Sequence, residues 1–203
     1  MTTQNMVVPI NKGLNRDTAS VDLGSIHERV DRLEQQVATL EASPAQDIED
    51  RLAMVVFSGD LDKSIAAFII ATGAAAMGFE VSMFFTFWGI NIIKKYRKYE
   101  GKNILEKGFT AMMPVNSNAL PLTQMNYFGI GAKLIRKVMK DNGVSSLEEL
   151  ITVAKELDVR LVACDMSQEL LGISDNELMD GLHHGDVATF LADASRAKAT
   201  IFI

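Results

Sequence analysis

The sequence predicts an α/β domain, and three observations carry that prediction. Leu52–Phe57 and Phe79–Phe87 are short apolar runs rich in Val and Phe, the length of strands buried on both faces. Between them lies a helix-length segment, Leu61–Met77, opened by Ser58-Gly59-Asp60 and followed by a turn at Gly78. Further helical stretches then alternate with two more short apolar runs, Arg160–Ala163 and Thr200–Ile203. A strand–helix–strand unit needs a right-handed crossover and a parallel sheet with helices on its faces. The alternation as a whole is that of a doubly wound sheet.

Composition narrows the function classes. Of 203 residues, 48% are apolar and 23% charged, enough for a full core and too apolar for a disordered chain. The balance of 20 Lys and Arg against 26 Asp and Glu gives a net charge of −6, which argues against nucleic acid as partner. A single cysteine excludes an internal disulfide framework and a Cys-rich zinc site within one subunit. No signal-peptide core precedes Arg16, so a cytoplasmic location is expected. The apolar stretch 64–93 is interrupted by Glu80, leaving two runs each shorter than the ~20 residues that cross a bilayer. It reads as a buried helix, a turn and a buried strand, and a membrane partner is disfavoured.

In chain order, residues 1–22 are polar and read as a flexible lead-in. Leu23, Ile26, Val30, Leu33, Val37 and Leu40 then form a heptad seam flanked by charged residues, ended by Ser43-Pro44. A helix lying on its own domain would carry a wider apolar stripe, so residues 23–45 are expected to self-associate. The globular part follows. Asp60 can cap the helix over 61–77. A short helix is expected over Gly89–Lys98, with Lys94, Lys95, Arg97 and Lys98 as a solvated face able to steer an acidic partner. Residues 100–126 read as a long irregular stretch, and such loops are commonly functional. Phe128–Lys140 is an amphipathic helix stopped at Asn142-Gly143. Ser145 and Glu148 fit a capping box for the next helix, which runs to about Leu157. Helices over Ser167–Leu171 and Val187–Ala194 precede the last strand.

Ligands of open parallel sheets bind beyond the carboxyl ends of the strands. Three places qualify: the Ser58–Lys63 turn, the Thr86–Asn91 turn and Cys164. The thiol stands just before a helix, whose terminal amides favour a thiolate, while Asp165 beside it opposes one. A buried free cysteine can equally be a small apolar filler. Met112, Met113, Met125 and Met166 could wall a sulfur-handling site. His183 and His184 lack any metal-ligand spacing and read as residues of a turn before Gly185. No metal and no cofactor is called for.

Several separated blocks resemble the DsrE/DsrF-like family. They are Ser58-Gly59-Asp60-Leu61-Asp62-Lys63, Phe84-Phe85-Thr86-Phe87-Trp88-Gly89, and Leu120-Pro121-Leu122 through Met125-Asn126. Ala163-Cys164-Asp165-Met166-Ser167 to Gly172-Ile173, and Gly185 through Leu191, look the same way. The resemblance covers residues 50–203 and is nearest to the peroxiredoxin-like branch. It implies a three-layer α/β/α domain on a five-stranded, mostly parallel sheet, assembled as a homo-oligomer or hetero-oligomer. It also implies a sulfur carrier that holds sulfane sulfur as a persulfide on Cys164 and passes it to small TusA-like carrier proteins. Ser58, Gly59, Asp60, Trp88, Asn91, Met166 and Ser167 are then the expected lining. Two other readings stay open: an oligomeric module binding a small ligand without catalysis, and a thiol-dependent peroxide reductase. The last would need a second thiol from elsewhere to resolve Cys164.

Overall fold

The structure, a computed structural model, describes residues 23–42 and 49–203. The 1–22 lead-in and the Ser43-Pro44 stop lie outside the described residues. Helix α1 (Leu23–Ala42) occupies the heptad stretch, with its seam residues Val30 and Leu33 exposed. It belongs to one compact unit, and everything from the first strand onward belongs to another.

The second unit is the expected α/β domain. Strands β1 (Glu49–Val56), β2 (Glu80–Phe85), β3 (Arg160–Cys164), β4 (His183–Gly185) and β5 (Ala197–Phe202) form one sheet in the order β4-β3-β2-β1-β5. All four pairings are parallel. Helices α2 (Leu61–Ala76) and α5 (Leu147–Glu156) cover one face, where Leu52, Met54, Val56, Val81, Met83, Phe85, Leu161 and Ala163 point into the main core. Helix α2 meets them with Leu61, Ser64, Ala67, Phe68 and Ala71, a stripe at helical spacing, and Phe68 stacks on Phe85 with ring centroids 6.0 Å apart. Among the described residues the other face is covered by α7 (Val187–Ala194). Its cluster is small: Phe84, Val162 and Cys164, with Phe190 of α7 against them.

Four expectations change. Strand β4 takes the place of the histidine turn: Val162, Ala163 and Cys164 pair with His183, His184 and Gly185. Three residues of an edge strand are too short to show alternation, which is why the sequence hides it. The stretch 100–126 contains helix α3 (Ile104–Met112), opened by a capping box of Asn103 and Glu106. The 89–98 helix is instead a buried 3-10 turn over Phe87–Ile93, followed by extended chain. The capping box of α5 sits one residue later, on Ser146 and Glu149. Both registers read alike in sequence, but Glu148 is engaged by Arg136, whose Nη1 lies 3.0 Å from Oε2.

The basic run 94–98 also turns inward at its first residue. Lys94 is buried, and its Nζ donates to Asn91 Oδ1 (3.3 Å) and to the Pro114 carbonyl (3.0 Å). Burial lowers its pKa to about 8, against the opposing pull of the Glu177 carboxylate. Arg97 donates to the Met113 carbonyl, and Lys95 alone makes an exposed pair, with Asp180 at 2.8 Å. Packing of the 3-10 turn decides this, because Ile90, Ile92 and Ile93 are all buried and carry the backbone of Lys94 in with them.

Candidate functional site

The carboxyl ends of β1 and β2 leave the sheet in two interlocked turns. A Cβ on Gly59 would come within 2.5 Å of the Trp88 carbonyl oxygen, and one on Gly89 within 2.0 Å of the Val56 carbonyl oxygen. Only glycine allows backbones this close. Phe87, between them, sits at φ +46°, a strained conformation for an aromatic residue. Ser58 Oγ donates to Asp60 Oδ2 (2.7 Å), and Ser64 Oγ donates to the Asp60 carbonyl (2.6 Å). Asp60 is the residue that precedes α2, as expected, but its side chain makes no cap; it is turned to Ser58 and to Lys63 Nζ at 3.4 Å. Asn91 is buried and bridges the Trp88 carbonyl (3.0 Å) to the Lys94 ammonium.

These turns enclose a cavity of about 200 Å³ lined by Ser58, Gly59, Asp60, Trp88, Asn91, Pro114 and Pro121. All five lining residues expected from the β1 and β2 ends therefore meet at one pocket. Cys164, Met166 and Ser167 do not line it.

Cys164 stands at the end of β3 and directly precedes helix α6 (Asp165–Leu171). Strand alternation points Val162 and Cys164 to the α7 face while Leu161 and Ala163 enter the main core. The thiol is 1% exposed, packed with Phe84, Val162 and Phe190, and the Phe84 and Phe190 rings lie 5.8 Å apart. Gly185 faces it across the β3–β4 pair. Ser167, one turn along α6, is fully buried. Its Oγ lies 2.9 Å from Thr86 Oγ1 and accepts the Phe87 N–H at 3.0 Å. Ser167 thus ties the start of α6 to the strained exit of β2, and so links the Cys164 end of the rim to the β2 turn.

The expected methionine wall is not there. Met113 is buried in the main core, while Met112, Met125 and Met166 are exposed, and none belongs to the cluster around Cys164. A feature the sequence did not announce lies along α6 instead. A groove of about 720 Å³ is lined by residues that include Asp165, Gln168, Glu169, Asp175, His184, Lys98 and Lys102. His184 Nδ1 is 3.1 Å from Gln168 Oε1 and 3.3 Å from Asp165 Oδ1. The signal was the acidic run from Asp165 to Glu177 followed by paired histidines, which acquires meaning only once β4 is placed beside β3. Among the described residues no group of three or more His, Cys, Asp or Glu could hold a metal ion. No helix among them is long and apolar enough to cross a membrane.

α7 is held over Cys164 by charge. Its only buried residue, Asp193, accepts hydrogen bonds from Arg51 Nη1 (2.9 Å), Ser82 Oγ (2.8 Å) and Arg160 Nη1 (2.9 Å). At the other end Asp186 Oδ1 accepts the Thr189 N–H at 3.0 Å and caps the helix; that bond holds the Asp186 carboxyl below the usual range.

Residues 48–202 match the DsrE/DsrF/DrsH-like family. The chain is 46% identical to the uncharacterized protein YrkE of Bacillus subtilis, over 75% of this chain and 96% of that one. It is 32% identical to the sulfur carrier protein DsrE2 of Allochromatium vinosum, over 76% of this chain and 99% of that one. A crystal structure of the YchN protein of E. coli aligns with 75% of this chain and 98% of its own, at 10% identity and a TM-score of 0.48. The family match spans the whole sheet, and the first two relatives are covered almost end to end. The chain belongs to the DsrE/DsrF/DrsH-like family.

Proposed function

We propose that the protein is a sulfur-relay protein that carries sulfane sulfur as a persulfide on Cys164. The observation that supports this most is the position of the chain's single thiol, at the carboxyl end of a central parallel strand where such sheets place their chemistry. A relative that this chain covers almost end to end is named a sulfur carrier. The step balances without an outside oxidant. The Cys164 thiolate attacks the outer sulfur of a donor persulfide R–S–SH, a new S–S bond forms, and the donor leaves as the thiolate R–S⁻. An acceptor thiolate then takes the outer sulfur and returns Cys164 as thiolate. Partners are small TusA-like carriers with an accessible thiol, and the setting is the cytoplasm, where thiols stay reduced.

One thiol per subunit is enough for this cycle. A peroxide reductase would need a second thiol to resolve a sulfenic acid, and with one cysteine in the chain that thiol has to come from another subunit or from an external thiol. The test is mass spectrometry after exposure to a sulfane-sulfur donor. The wild-type chain gains one sulfur atom, reversed by a thiol reductant, and Cys164→Ser gains nothing. The same gain on Cys164→Ser removes the proposal.

The proposed assembly is a homo-oligomer to which α1 contributes. The heptad spacing supports it, together with the exposure of Val30 and Leu33 on α1. Removing residues 1–45 is expected to lower the mass measured by light scattering, and an unchanged mass counts against the seam.

A further inference from the structure

Helix α4 (Ile130–Asp141) lies in the stretch that reads in sequence as an amphipathic helix, and it leaves its apolar stripe outside. The inward face is Ala132, Arg136 and Met139. Arg136 moors it, donating to Glu148 and, at 2.7 Å, to the Ser117 carbonyl. The apolar stripe Ile130, Leu134 and Val138, at i, i+4 and i+8, is left 51–60% exposed. Lys133, Lys137 and Lys140 run along one flank of that stripe and are also exposed. The turn before the helix adds Phe128, the most exposed large hydrophobic side chain among the described residues. That turn is fixed: Asn126 accepts the Gly129 and Gly131 N–H groups through its carbonyl and the Leu122 N–H through Oδ1. A Cβ on Gly131 would meet the Met125 carbonyl oxygen at 2.0 Å, so the crossing admits only glycine there.

We infer that α4 and Phe128 form a peripheral docking surface for an anionic lipid bilayer. Charge selects this occupant. The whole chain carries −6, yet α4 carries Lys133, Arg136, Lys137 and Lys140 against Asp141 alone. An acidic protein approaches an anionic surface only through such a locally basic face. A second copy is a poor fit, because a two-fold contact along the stripe sets the same lysines against each other. The stripe is a convex ridge ending in an aromatic tip. A bilayer accepts such a ridge without a complementary groove, with the apolar residues at the headgroup boundary and lysine stems reaching outward. This is binding on a surface, not spanning, and it departs from the sequence reading in which a membrane partner is disfavoured.

The test uses the full chain with vesicles of phosphatidylcholine and vesicles of phosphatidylcholine and phosphatidylglycerol in equal parts. Wild type pellets with the anionic vesicles, not with the neutral ones, and added salt releases it. Each lysine near the surface is worth about fivefold, so K133Q/K137Q/K140Q is expected to weaken binding on the order of 100-fold. Phe128→Ser with Leu134→Ser also weakens it, and both variants keep the wild-type melting curve because every changed side chain is exposed. Cys164→Ser binds vesicles like wild type, which separates this inference from the sulfur-carrier reading. Absence of binding to anionic vesicles at low salt, or equal binding by the lysine variant, overturns it. So does a loss of oligomer mass in Phe128→Ser/Leu134→Ser without a change in pelleting, which would assign the face to a second copy.

Discussion

Glu177→Gln is expected to lower folding stability by about 3–5 kcal/mol, read from denaturant unfolding of variant and wild type side by side. Glu177 is completely buried in the 3-10 turn Asp175–Glu177. It accepts from Lys98 N–H (2.9 Å), Ser174 N–H (3.0 Å) and Ser174 Oγ (3.1 Å), and Lys102 Nζ lies 2.7 Å from Oε2. Burial alone would raise its pKa, but the bonds from Lys102, Ser174 and Lys98 outweigh burial and hold the carboxyl below its ordinary value. Glutamine keeps the volume but turns one acceptor into a donor, so one of these N–H groups meets another. The charge is lost as well, leaving Lys102 and Lys94 buried without their shared carboxylate. The pH signature has a definite sign. The folded pKa lies below the unfolded one, so the wild type keeps this contribution above about pH 4.5 and loses it as pH falls through the folded value. Glu177→Gln lacks that part of the acid slope. A variant as stable as wild type at neutral pH would refute the account.

Asp193→Ala couples stability to the reactivity of the thiol. The carboxylate joins Arg51 and Arg160 of two strands to α7, and Arg51 is buried. Arg51 retains Glu49 at 2.8 Å and Glu80 at 2.6 Å, and Arg160 can turn to water. The expected cost is therefore below that at Glu177, about 2–3 kcal/mol. The second consequence is local. Asp193 is the one buried anchor of α7, and α7 brings Phe190 over Cys164. Opening of a helix anchored at so few points precedes global unfolding. Alkylation of Cys164 under native conditions should accelerate about tenfold or more in Asp193→Ala. An unchanged alkylation rate with the expected loss of stability would show that α7 does not gate the thiol.

The sequence displayed the sheet's central strands, because β1, β2 and β3 are continuous apolar runs with turn residues at their ends. It displayed the rim as well: the turns after β1 and β2 stand out as strand ends, the family resemblance singles out Ser58, Gly59, Asp60, Trp88 and Asn91 within them, and these five line one pocket. What stayed hidden depends on long-range pairing. β4 has no pattern of its own and exists because Val162–Cys164 offer an edge. Lys94 looks solvated until the three isoleucines around it are placed. The orientation of α4 is the clearest case: its apolar stripe is real, but Arg136 finds Glu148 and Ser117, and that mooring decides which side faces in. Cys164 was placed at its strand end from sequence. Its separation from the rim pocket was not legible, because it follows from which face of the sheet residue 164 points to.

The strand order has a price in time as well as in contacts. β1 is flanked by β2 and β5, and the β1–β5 pair joins residues as far apart as 148 positions, as in the Asp50–Lys198 contact. At about 5–20 residues per second of synthesis, β1 emerges roughly 7–30 s before its second neighbour exists. For that interval Leu52–Val56 presents an apolar strand with one unpaired edge, the kind of template on which chains pair with one another. Strand β1, just inside the β5 edge of the sheet, is thus the strand most dependent on protection while the protein is being made.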